Sequence, residues 1–75
     1  MDPTPFYQQV ADALRAQIMS GEIQPGDRVP SENEIKRDHH VARETARKAI
    51  AVLRDEGLIV TMPARGSYVA ERPRS

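Results

Sequence analysis

Apolar residues recur at helical spacing in two stretches of the chain, and β-branched ones gather in a short run near its end. In the first stretch, FYQQVADALRAQIMSG, Tyr7, Val10, Leu14 and Ile18 follow one another at intervals of three and four. That period places them on one stripe of an amphipathic helix of about four turns. Thr4 before Pro5 predicts an N-cap with proline at the first helical position, and Gly21 predicts the stop. Met1 to Thr4 are read as frayed. Phe6 and Tyr7 start the apolar stripe, so they are read as core packing rather than as a stacking platform for bases.

The second stretch, Pro30 to Gly57, reads as two consecutive helices joined by a tight turn. Ser31 and Glu34 have the spacing of a reciprocal capping box, and Pro30 disfavours helix in the residue before it. A helix therefore starts at Ser31. It lasts about two turns, because apolar positions are sparse and Asp38, His39 and His40 interrupt it before Val41. From Arg43 the helical pattern resumes, with Ala46, Ala49, Ile50 and Leu53 on one stripe and Gly57 placed to close the end in the left-handed conformation. The opposite face carries Glu44, Arg47 and Lys48, with Arg43 at its margin and Thr45 on the other flank. A short helix, a tight turn and a second helix with charged residues in its first turns match a helix-turn-helix, whose second helix enters the DNA major groove.

Two further segments complete the plan. Ile23 is expected to anchor a small edge strand, and Pro25-Gly26 is the pair that fits the centre of a type II turn. After Gly57, LIVTM and SYVA read as the two strands of a hairpin around Pro63, Ala64, Arg65 and Gly66. Arg65 is expected at the tip, and Gly66 permits close approach of the backbone to another surface. The fold class is therefore mainly α with a small β-hairpin: three helices plus a wing, a winged helix-turn-helix. Residues 1–70 are read as one domain and 71–75 as a polar tail or the start of a linker.

Composition narrows the chemistry. Seventy-five residues support a single small core, and the absence of cysteine excludes disulfides and thiolate metal sites. No signal peptide or long apolar run is visible, so the chain reads as soluble and intracellular. There is no glycine-rich phosphate loop and no serine, histidine and acid grouping, so no enzyme and no cofactor is expected. His39 and His40 have only Asp38 and Glu34 nearby, which makes them partly buried turn residues rather than metal ligands. Formal net charge is zero, yet its distribution is uneven. Met1 to Ile35 carries two basic and six acidic residues, whereas Lys36 to Arg54 carries six basic and two acidic. One basic face is therefore expected, with binding to nucleic acid that weakens as salt rises.

Helix, short strand, helix-turn-helix and hairpin in this order resemble the GntR family of bacterial transcription regulators. The resemblance covers Phe6 to Ala70 and is carried by the first helix, GEIQPGDRVPSENEI, VARETARKAIAVLRDEGLI and GSYV. It implies base or phosphate contacts by Arg43, Thr45 and Arg47, with Glu44 at a variable specificity position. The candidate DNA-binding set comprises Ser31, Asn33, Arg43, Glu44, Thr45, Arg47, Lys48, Arg65 and Gly66. The implied partner is a double-stranded DNA operator, an inverted repeat bound by a homodimer, and the implied role is repression in the cytoplasm, at the nucleoid. No membrane partner and no effector ligand are expected within these residues. Three positions depart from the family pattern: Asn33 replaces an arginine, Ala42 a serine or threonine cap, and Ala64 a glycine of the wing. A winged-helix module that binds protein instead of DNA is the alternative.

Overall fold

The computed structural model of the chain describes residues 5–71. Its elements are α1 (Phe6–Met19), α2 (Glu32–His39), α3 (Arg43–Asp55), β1 (Ile59–Met62) and β2 (Gly66–Val69). The order is that of a winged helix-turn-helix. Expectations placed on residues 1–4 and 72–75, the Thr4 cap among them, lie outside the described residues.

α1 buries Val10, Ala11, Leu14 and Ile18, the expected stripe with Ala11 added. Its cap residue is Pro5, one position later than expected: the proline is extended (φ −58°, ψ 149°) and only its carbonyl, accepting from Gln8 and Gln9, joins the helix. Phe6 is 69% exposed and Tyr7 half-buried, so the aromatic start of α1 is not core. The Phe6 ring borders an open groove beside the turn between α2 and α3 instead of entering the core.

α3 is the centre of the packing. Ala46, Ala49 and Leu53 are fully buried and Ile50 nearly so, and the two alanines let α1 and α2 approach closely. Ile35 from α2, Val29 from the segment before it, and Leu58, Ile59 and Val69 from the segments after α3 close the same core. At its end, Leu58 N–H donates to the Leu53 carbonyl (3.1 Å) and Gly57 N–H to that of Arg54 (3.0 Å), with Gly57 at φ 80°. This is a Schellman closure, sealed by the buried Leu53 and Leu58. Outside the core, Arg15 forks onto Glu56 (2.9 and 2.7 Å) and reaches Asp12 (2.6 Å), tying α1 to the end of α3.

β1 and β2 pair antiparallel with Ile59 opposite Val69 and Met62 opposite Gly66. The expected edge strand at Ile23 does not form. Ile23 N–H instead bonds the Gln17 carbonyl (3.0 Å), which keeps it in the closure of α1, while its side chain packs half-buried on the core. Pairing begins within the Pro25-Gly26 turn, where Asp27 N–H closes onto the Gln24 carbonyl (2.9 Å) and Gly26, at φ 88°, donates its N–H to the Val69 carbonyl (3.0 Å). Then Val69 N–H donates to Asp27, Val29 N–H donates to Ser67 (2.9 and 2.8 Å), and Arg28 bridges Tyr68. The wing is thus fastened to the segment that leads into α2.

Candidate nucleic-acid interface

The helix-turn-helix is set by its caps. Ser31 Oγ accepts from Glu34 N–H (3.2 Å) while Glu34 Oε1 accepts from Ser31 N–H (2.8 Å), so the predicted capping box is present in full. The backbone bond from Ser31, then that from its hydroxyl, holds the Glu34 carboxyl below the usual carboxylate range. α2 ends at His40, which lies in the left-handed region (φ 55°, ψ 45°) and donates to the Lys36 carbonyl. Both His39 and His40 are exposed, not partly buried, because that turn projects away from the core. Among the described residues no three His, Asp or Glu side chains gather as metal ligands would.

α3 begins at Ala42, extended at φ −71° and ψ 159°, with no side chain to cap the helix. Its first N–H groups therefore face outward without a protein hydroxyl. Arg43, Glu44, Arg47 and Lys48 are exposed and Thr45 is half-buried, with Glu44 and Lys48 opposite the buried stripe and Arg43, Arg47 and Thr45 on its flanks. The basic side chains divide into two groups. Arg43 Nη2 donates to Asn33 Oδ1 (3.2 Å), and Arg47 Nε stands 3.6 Å from Glu32 Oε2, so α2's first turn meets both arginines. Arg47 still leaves 59% of its side chain exposed. Lys48 instead swings toward α1, its ammonium 5.7 Å from the centre of the Tyr7 ring, a cation–π distance. Thr45 lines an open groove with Phe6, Val10, His39, His40 and Val41.

Across a shallow cleft from α3 stands the wing. Ser31, Arg47, Ile50, Arg54, Thr61, Gly66 and Ser67 line that cleft, and Thr61 and Ser67 share a hydroxyl hydrogen bond (3.2 Å). Arg65 is exposed at the hairpin turn, its N–H on the Met62 carbonyl (3.0 Å). Ala64 occupies φ 66°, a conformation that favours glycine. Gly66 lies at φ 108°, a conformation that strains any side chain, and a Cβ there would stand 3.3 Å from Arg28 Nε, a tight contact that the arginine would have to ease. Arg28 is the functional candidate that sequence patterning passes over. It counts within the acidic half of the chain, and only the pairing with Tyr68, forty residues away, brings its guanidinium onto the wing. Arg54 likewise enters the cleft because it follows Arg43, Arg47 and Ile50 at intervals of four, three and four on one helical stripe.

Known proteins share this arrangement. Residues 6–69 match the model of the bacterial regulatory proteins of the gntR family. The mannosyl-D-glycerate transport/metabolism system repressor MngR of Escherichia coli is 37% identical over 71 residues, which cover 95% of this chain and 30% of that protein. The histidine utilization repressor of Klebsiella aerogenes is 42% identical over 69 residues, covering 92% and 29% respectively. The chain thus spans about three-tenths of the length of these relatives. Among solved structures, AraR(DBD) in complex with operator ORR3 superposes with a TM-score of 0.85 at 38% identity, over 88% of this chain and 80% of that one. The AraR NTD with a mutant ORR3 gives 0.89 at 36% identity, over 93% and 100%. On the family match across nearly all described residues, and on the three helices and hairpin that realise it, the chain belongs to the GntR family of bacterial regulatory proteins.

Proposed function

We propose that this chain is the sequence-specific DNA-binding unit of a bacterial transcriptional repressor. α3 lies in the major groove, and the Pro63–Gly66 turn lies near the minor groove. One observation carries this reading: Arg43 and Arg47 stand exposed on the first two turns of a helix that its buried stripe anchors in the core. A helix so backed is a rigid rod, and a rod of this diameter fits the major groove, where an arginine fork pairs with guanine N7 and O6. The names of the relatives as repressors and the operator-bound AraR structures support it.

Residues 1–70 form the binding unit and 71–75 lead out of it. A single α3 reads only a few base pairs, so the unit works as a homodimer on an inverted repeat. Thr45 and Glu44 add contacts beside the arginines, Ser31 and Arg65 meet phosphates, and Gly66 lets the wing backbone approach. No helix among the described residues is long and apolar enough to cross a membrane, in keeping with action in the cytoplasm at the nucleoid. Selection of bound duplexes from a random pool tests the reading. A two-fold symmetric consensus is expected, with affinity falling steeply as salt rises. Absence of any complex at low salt overturns it and favours a protein-binding module.

A further inference from the structure

Asn33 stands where the resemblance expects an arginine, and its side chain is already engaged. Its amide oxygen accepts from Arg43 Nη2 at 3.2 Å, across the two helices of the helix-turn-helix. We propose that Asn33 is a positioning residue that fixes operator specificity by aiming the Arg43 guanidinium, without touching the duplex itself. This inference rests on the DNA-binding reading above.

Four features support it. Asn33 lies inside the Ser31–Glu34 capping box, so its backbone is held at both ends and its short side chain, with two rotors, starts from a fixed point. Arg43 is exposed and long, and a side chain with that many rotors loses much freedom when it binds; one hydrogen bond to the shorter Asn33 side chain removes part of that loss beforehand. Guanidinium has five N–H donors, so a bond at one of them leaves others for a guanine edge. Finally, asparagine is a neutral acceptor: it orients the arginine without cancelling the charge that attracts the duplex, as a carboxylate would. The adjacent Glu32 meets Arg47 on the next turn at 3.6 Å, so the same turn of α2 faces both arginines.

The test uses the 75-residue chain. A bound site is first selected from random duplexes, and the base read by Arg43 is located as the position whose preference disappears in Arg43→Ala. Affinity for every single-base variant of the site and the salt slope are then measured for Asn33→Ala, Asn33→Asp, Asn33→Arg and the double variant Asn33→Ala with Arg43→Ala. Asn33→Ala is expected to lower the guanine preference at that one position by at least about fivefold, with the other positions and the salt slope unchanged. The double variant should match Arg43→Ala alone. Asn33→Asp keeps the acceptor, so it should retain the preference while weakening all duplexes together, and Asn33→Arg should steepen the salt slope by about one. An unaltered preference in Asn33→Ala overturns the inference, as does a uniform weakening with a shallower slope, which marks a direct phosphate contact. Both leave the DNA-binding reading standing, whereas a wild-type chain that selects no duplex overturns the two together. A circular-dichroism melt of Asn33→Ala confirms that this exposed substitution leaves the fold intact.

Discussion

Ala42→Ser should stabilise the protein. The residue before α3 already has the backbone of a capping residue, φ −71° and ψ 159°, within about ten degrees of Ser31 at φ −72° and ψ 168°. Ser31 uses its hydroxyl on the third N–H of α2, so the same side chain at position 42 would reach the corresponding N–H of Thr45 without moving the backbone. Ala42 is exposed, so the added oxygen is not desolvated. The gain is that of one N-cap, about 1 kcal/mol. For a domain of this size that amounts to a rise in Tm of about 4–8 °C. Thermal unfolding followed by circular dichroism, with Ser31→Ala as the opposing control, reads both signs. A Tm for Ala42→Ser at or below wild type would refute the reasoning, showing that the first turn of α3 is satisfied in another way.

Other perturbations separate backbone, charge and contact. His40→Gly relieves a left-handed residue at φ 55° and should gain about 0.5–1 kcal/mol in urea unfolding, the relief exceeding the added freedom of the unfolded chain. The Glu34 carboxyl sits below its ordinary range, so its contribution is fully present above the unfolded value and lost as pH falls through the lower folded one; a pH series of melts should show this loss, and Ser31→Ala should reduce it only in part, because the backbone N–H of residue 31 still donates to the carboxylate. Arg47→Ala should cost about 1–3 kcal/mol of operator affinity with the helical spectrum unchanged. Arg65→Gln should lower the salt slope by about one, and an unchanged slope would leave Arg65 a solvated loop residue.

Caps and turns were legible in the chain because their chemistry spans three to five residues. Ser31 with Glu34, Pro25-Gly26, and Gly57 behind a helical stripe each satisfy their own backbone groups locally, and each formed as the spacing predicts. Ile23 failed as a strand for a reason of the other kind. A strand needs a partner, and which segment lies beside β2 depends on how α1 ends and where the chain turns back. Phe6, His39 and His40 show the same limit, since their spacing gives a helix face or a turn but not whether anything covers it.

The candidate interface divides along the same line. Sequence by itself determined that Arg43, Glu44, Arg47 and Lys48 would lie outside a helix buried on its other side, because helical periodicity links burial of one face to exposure of the other. Tertiary structure decided what those side chains meet: Asn33 for Arg43, Glu32 for Arg47, the Tyr7 ring for Lys48, and Arg28 against Gly66. Each of these pairs joins elements ten to about forty residues apart, and their meeting depends on the packing of α1, α2 and the wing around α3. Periodicity carries no information about that packing, because it fixes directions within one element and not the distances between two.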